Sequence, residues 1–479
     1  MPLRVTNSLD GRKEDFVPLN GKDVLLYVCG PTVYGDIHIG NARSAVNFDV
    51  IRKWLVFSGY RVKCVINITD IDDKIIQKSV VEKRSWDEVA REFTGAYLEV
   101  MRRLGVQDPD VRPKATDHIP EMIELVKGLV EKGHAYPAPS AGASGQDVLF
   151  HTPSFPAYGR LSRKNLEELM EGARVDKNDV KRNPTDFVLW KAAKPGEPEW
   201  DSPWGKGRPG WHIECSAMIR KHLGDSIDIH GGGVDLIFPH HENEIAQCEA
   251  YTGRPYVKYW LHNGFLEISG EKMSKSLGNI LKAKDALDAY RPEVLRYFML
   301  TAHYRSSLNY DELGLEAARR GWEEFQQTFL RIADAPASDD SGDPKFLQDL
   351  SSKLAGAEEQ FRAAMDDDFN TSKAMGVLFD LARSTRAFLA VRPGVSSAER
   401  KVLGDVDALL RKLGGLLGIV AVTEASVTDD VRELAGQRAR FKAAKQYAEA
   451  DRVRGQVLEK GYVIEDLPGG KYRIIPKKS

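Results

Sequence analysis

The clearest alternation of hydrophobic and polar positions lies near the start of the chain. An unbroken apolar run, Val24-Leu25-Leu26-Tyr27-Val28, gives way to a turn rich in glycine and proline; apolar positions then recur at Val46, Val50, Ile51, Trp54 and Leu55. The run predicts a strand over 23–29, and the recurrence at helical spacing predicts the inward face of a helix over about 40–58. On this reading Arg43, Arg52 and Lys53 lie away from the core. Gly59 supplies a left-handed stop. Val62 to Ile68 then reads as a second strand over 61–69, apolar enough to be buried on both faces. A strand, a helix and a strand in this order make a crossover between parallel strands, so both carboxyl ends open on the same side.

From about 76 to 205 the parallel pattern lapses. Two helices (84–104 and 117–132), a small-residue loop (137–145) and a Trp/Pro/Gly-rich stretch (190–210) read as an insertion. The pattern resumes with Ser226-Ile-Asp-Ile-His230, a Gly231-Gly-Gly233 loop, a helix over about 239–251 and a strand around 259–265. Beyond Ala283 the chain is mostly helical, with breaks at 335–344 and 421–430. The expected class is α/β: a Rossmann-type parallel sheet split by an insertion, followed by a helical bundle and a small α+β C-terminal domain. The expected divisions are 1–115, 116–205, 206–282, 283–334, 335–424 and 425–479, and 479 residues suffice for several cores.

Composition narrows the partners. A formal net charge of −2 gives no global pull toward nucleic acid, but Val431 to Ser479 carries twelve Lys or Arg against six Asp or Glu, a local basic surplus. Charges at Asp10, Arg12, Lys13, Glu14 and Asp15 leave no apolar core for a signal peptide. No apolar run approaches the roughly 20 residues of a bilayer span, so no membrane partner is expected. Four cysteines without a C-x-x-C pair point to reduced thiols and a cytoplasmic location.

Two segments carry candidate nucleotide chemistry. Cys29-Gly-Pro-Thr-Val-Tyr-Gly-Asp-Ile-His38-Ile-Gly40-Asn41 leads from the first strand into the helix start, a ready anion site. Lys272-Met273-Ser274-Lys275-Ser276 follows a Ser269-Gly270 turn. A third constellation has metal-ligating chemistry. His240 and Glu244 stand one helical turn apart, and with Cys29 and Cys215 they offer two thiolates, an imidazole and a carboxylate, a zinc-type set if the fold joins them. His241 and Cys248 are positioned to substitute, whereas Cys64 sits in an apolar strand and reads as core.

The two segments resemble the HIGH and KMSKS signatures of class I aminoacyl-tRNA synthetases, with Asn41 replacing the last HIGH histidine. Val28 to Tyr34, Asn67 to Lys74, Arg208 to Met218, Asp228 to Asp235 and Phe238 to Gln247 extend the resemblance, specifically to cysteinyl-tRNA synthetases, over nearly the whole chain. It implies activation of L-cysteine by ATP with Mg2+, and transfer to the terminal adenosine of tRNA(Cys). It implies one zinc held by Cys29, Cys215, His240 and Glu244, and a cysteine pocket that also includes Thr69, Trp211 and Asp235. ATP would lie against His38, Gly40, Asn41, Lys272 and Lys275, with His38, Lys272 and Lys275 acting in catalysis. Under the same resemblance 116–205 is a connective insertion, 283–334 a stem-contact region and 425–479 an anticodon-binding domain, in a protein expected to act as a monomer. Two rivals share parts of the pattern. A cysteine ligase of mycothiol synthesis has no use for the basic C-terminal segment, and a catalytically silent tRNA-binding paralogue has no use for intact lysines and donors.

Overall fold

In a computed structural model, described for residues 2–143, 145–163, 181–268, 271–272, 281–339, 344–392, 394–421, 429–444, 446–460, 462–466 and 472–476, the centre is a four-stranded parallel sheet. Its order is Val257–Asn263, Ile227–Gly233, Asp23–Val28, Arg61–Ile66. The expected crossover is present: Asp23–Val28 leads into the helix Ile39–Phe57, which returns to Arg61–Ile66. Gly59 follows that helix at a φ of +90°, as its place in the sequence predicts.

Several expectations are corrected. Arg61–Ile66 is an edge strand with exposed and half-buried positions at its start, because the sheet grows on the other flank of Asp23–Val28. Gly231–Gly233 is not a loop but the end of a strand. Arg43 and Arg52 do not lie outside the core. Both are buried, Arg52 reaching Asp108 O and Asp110, and Arg43 reaching four backbone carbonyls. Cys64 packs in the core as expected, at 2% exposure.

The insertion holds a structure that periodicity did not announce. Ala135–Pro139, Gln146–Phe150, Phe187–Ala192 and Gly207–Pro209 form an antiparallel sheet whose last strand lies beyond the expected boundary at 205, and the small-residue loop is partly strand. Val148, Phe150, Leu189 and Trp190 bury one side of it against the helix Ile119–Glu131. After the sheet domain, the helices Glu312–Asp334, Pro344–Met365, Thr371–Ala390 and Ser397–Leu417 pack on a core continuous with that of the sheet. The buried pair Asp49–Arg296 (2.6 Å) ties the two together, with Arg296 also donating to Leu104 O and Leu417 O. The helices Asp429–Ala443 and Tyr447–Glu459 and the ribbon Tyr462–Asp466/Tyr472–Pro476 surround a separate small core of Val431, Ala435, Val457, Ile464 and Ile474.

Candidate active site and metal centre

Chain order reverses across the middle of the sheet. The connection from Asp23–Val28 runs toward Arg61–Ile66, while Ile227–Gly233 lies on the other flank, which opens a crevice at the carboxyl ends of the two central strands. Cys29 is the first residue beyond the first strand, and its N–H donates to Gly231 O of the second. Gly30 N–H donates to Asn67 Oδ1 (2.8 Å), which tethers the turn to the end of the edge strand.

Cys29 Sγ lies 3.7 Å from Cys215 Sγ, 3.9 Å from Glu244 Oε1 and 3.3 Å from His241 Nε2, and His240 Nε2 lies 3.1 Å from Glu244 Oε1. Cys215 comes from the helix Trp211–His222, and Glu244 from Glu242–Thr252. The sulfur separation far exceeds a disulfide bond. It matches the edge, about 3.8 Å, of a tetrahedron with metal–sulfur arms of about 2.3 Å. Donor atoms of Cys29, His240, His241 and Glu244 all fall within 4.8 Å of one another, and Cys215 joins them through Cys29. Cys248 is not in that group; its thiol is buried against Ser216 and Tyr256. Two soft sulfurs, neutral imidazoles and one carboxylate suit zinc better than a hard cation.

Burial pushes the Cys29 thiol well above its ordinary pKa. For Cys215 the hydrogen bond with Cys29 lowers the pKa, and burial and Glu244 outweigh it. Without a cation both thiols stay protonated. A shell of side chains orients the donors. Glu244 Oε2 contacts His230 Nε2 (2.9 Å) and accepts from Tyr256 OH (3.0 Å), His240 Nδ1 contacts His212 Nδ1 (3.0 Å), and His241 Nδ1 contacts His262 Nε2 (2.8 Å). Burial drives His212 and His262 to about 3, and His240 and His241 well below the usual range, so these rings are neutral. Sequence reasoning singled out neither His212, His230 and His262 nor Tyr256 as functional. The available signal was that His262 lies near the carboxyl end of its strand and that His230 directly precedes the Gly231–Gly233 run.

His38 caps the helix that follows. Its Nδ1 accepts from Asn41 N–H (3.3 Å), and Asn41 Oδ1 accepts from His38 N–H (3.2 Å), a reciprocal capping box. This bond leaves the ring proton on Nε2, where it can be donated outward. Burial lowers the His38 pKa against the opposing pull of Asp235, so the ring is neutral at neutral pH. Asn41 therefore has a local reason to replace histidine: its carbonyl oxygen closes the cap while its amide remains a donor. Gly40 lies in the same first turn.

The expected cysteine-pocket residues are less uniform. Trp211 stacks on His240 with ring centres 4.3 Å apart and keeps 38% exposure, so it walls the donor cluster from solvent on one side. Asp235 is exposed in the short turn after Gly233. Thr69 is buried, its hydroxyl donating to Glu214 (3.0 Å) and accepting from Asn67 (3.2 Å). Burial pushes the Glu214 carboxyl well up. Lys272 belongs to the two-residue strand Glu271–Lys272, paired with Glu267 and Ile268. Lys275 lies outside the described residues.

Residues 15–320 match the family model described as tRNA synthetases class I (C) catalytic domain, and residues 360–421 match the DALR domain. The Cysteine--tRNA ligase of Thermodesulfovibrio yellowstonii is 46% identical over 97% of this chain and 98% of its own length. The chain belongs to the cysteine–tRNA ligase family of class I synthetases. A second member, from Heliobacterium modesticaldum, is 47% identical over 98% of this chain and 99% of its own. Among solved structures, Mycobacterium tuberculosis methionyl-tRNA synthetase in complex with methionyl-adenylate shares the fold. Its TM-score is 0.60 at 16% identity, over 83% of this chain and 90% of that one. Among the described residues no helix is long and apolar enough to cross a membrane.

Proposed function

We propose that this chain is an ATP-dependent cysteine–tRNA ligase. It joins L-cysteine to ATP as cysteinyl adenylate, releases pyrophosphate, and passes cysteine to the terminal adenosine of tRNA(Cys). The observation that carries the reading is the two-sulfur, imidazole and carboxylate cluster at the carboxyl end of the sheet, in a chain of this family.

Cys29, Cys215, His240 and Glu244 would hold the zinc, with His241 as a rival ligand on geometry alone. Zinc, when bound, lowers a thiol's pKa and so favours a cysteine side chain over a hydroxyl or a methyl group. Trp211 covers that side-chain site, and Asp235, exposed and negative, is suited to the substrate's α-ammonium. Thr69 acts by holding its turn against Glu214, because both of its hydroxyl contacts are internal.

The substrate carboxylate is itself the nucleophile, so activation needs no general base. It attacks the α-phosphorus in line, a P–O bond forms, and pyrophosphate leaves with the electrons of the broken bond. His38 donates Nε2–H to a phosphate oxygen, at a helix start that also favours negative charge. Gly40 and Asn41 line the same turn, and Lys272 and Lys275 bring positive charge to the departing pyrophosphate, a load that Mg2+ bound with ATP would share. The basic C-terminal helices and ribbon suit contacts to single-stranded RNA loops. A cytoplasmic location fits this role.

Cysteine-dependent exchange of labelled pyrophosphate into ATP, followed by charging of purified tRNA, tests the reading. Exchange with serine or alanine within about a hundredfold of that with cysteine, no better than packing alone achieves for such analogues, would contradict it.

A further inference from the structure

Arg43 stands in the second turn of the helix Ile39–Phe57, two residues beyond Asn41, yet its side chain points into the protein and is fully buried. Among the described residues it meets no carboxylate. Nη1 donates to Gly264 O (3.0 Å) and Phe265 O (2.7 Å), and Nη2 donates to His303 O (3.3 Å) and Ser306 O (2.7 Å). Burial pulls the guanidinium down to about 10, which still leaves it charged at neutral pH. A buried cation facing only carbonyls is an expensive arrangement, and an apolar core would need none.

The four carbonyls belong to two segments that the cation draws together. Gly264 N–H donates to Tyr304 O (2.8 Å), and Leu308 N–H donates to Phe265 O (2.9 Å). Leu266–Ile268 then pairs in parallel with Leu308–Tyr310, and Glu267 and Ile268 pair with Lys272 and Glu271. The segments are so close at this point that a Cβ on Gly264 would sit 2.5 Å from the Ser306 carbonyl. Downstream of Ile280 the chain is fastened to the same helix start by backbone bonds, Ile39 N–H to Leu281 O and Ala283 N–H to Ile37 O, both 2.9 Å. Lys282 adds a contact to Asp36 at 2.9 Å. Arg43 supplies the corresponding fastening upstream, through its side chain.

We propose that Arg43 is a positioning residue for adenylate formation, its guanidinium setting the spacing between the helix start that bears His38 and the strand pair that leads into Lys272. The inference rests on the adenylate-forming reading above. Lysine cannot substitute, because one ammonium lacks the planar fork that reaches both segments. Misplacing reacting groups by about 1 Å can cost about a hundredfold in rate.

The test is pyrophosphate exchange by full-length Arg43→Lys and Arg43→Met, beside Leu410→Ala in the helical bundle as a control for thermal destabilisation. Cysteine affinity is measured separately by equilibrium dialysis. The expected result is a fall in kcat of about a hundredfold for both Arg43 variants, with cysteine affinity within threefold of wild type and Leu410→Ala active in proportion to its folded fraction. If Arg43→Met does not fold, Arg43→Lys carries the comparison. Unchanged kcat in folded Arg43→Lys would overturn the proposal, as would cysteine affinity and rate falling together in step with melting temperature. A wild-type enzyme without exchange would overturn the adenylate-forming reading, and with it this inference.

Discussion

Replacing Glu244 by glutamine separates its two oxygens. Oε1 faces His240 Nε2 at 3.1 Å and Cys29 Sγ at 3.9 Å, the position of a metal ligand, while Oε2 faces His230 Nε2 and Tyr256 OH. With its ring proton on Nε2, His230 donates to Oε2 as Tyr256 does. An amide placing its NH2 there would leave two buried donors facing a third, each lost bond costing about 1–3 kcal/mol. That orientation is disfavoured by roughly 2–6 kcal/mol, so the amide oxygen stays on the outer side and NH2 turns toward the metal position. Glu244→Gln is therefore nearly isosteric and folded, but it removes a ligand outright. Losing an outer partner of a ligand costs about 10–100-fold in metal affinity, so zinc affinity of Glu244→Gln should fall by more than about 100-fold and that of Tyr256→Phe by roughly tenfold. Competition against a chromophoric chelator, with metal analysis after dialysis, measures both. A Glu244→Gln protein that retained one zinc per chain at wild-type affinity, with His241→Ala losing it, would refute the assignment and make His241 the ligand.

Two further outcomes are expected. Metal-free protein should lose stability on acidification: His262, buried and held to about 3, has a folded pKa below its unfolded value near 6.5. Its contribution is intact above pH 6.5 and is lost as pH falls toward 3, by about 2 kcal/mol at pH 5, which urea titrations across that window would read; a flat profile contradicts the neutral-histidine cluster. A chain ending near Asp430 should still exchange pyrophosphate but charge tRNA poorly, since the removed part has its own small core and the local basic surplus. Undiminished charging by the truncated chain would exclude an RNA role for that segment and favour the amino-sugar ligase.

Much of the chemistry was legible before folding because it is local. The apolar run 24–28 and the following glycine-rich turn forecast a strand, a crevice edge and a helix start, and the i, i+4 spacing of His240 and Glu244 required only continuous helical turns, here Ile237–His241 running into Glu242–Thr252. The antiparallel sheet was not legible, because its strands are short, two of them carry proline, and Gln146–Phe150 pairs with Phe187–Ala192 across a long intervening stretch. Arg43 and Arg52 were misread for a related reason. Periodicity assigns charge to the solvent face, but each of these guanidiniums finds carbonyls on segments remote in sequence, as far as 263 residues for Arg43.

The sequence by itself determined the residue types available for binding a nucleotide and a soft metal, and the order of the elements that carry them. Only the tertiary structure decided that Cys29 and Cys215, 186 residues apart, bring their sulfurs within 3.7 Å, and that His241 stands beside the expected ligands. It also decided that Asn41 closes a capping box with His38, which fixes the imidazole tautomer. The physical reason is the same in each case. Periodicity encodes which face of an element is apolar, whereas the meeting of donors depends on sheet order and helix packing, to which every element of the domain contributes.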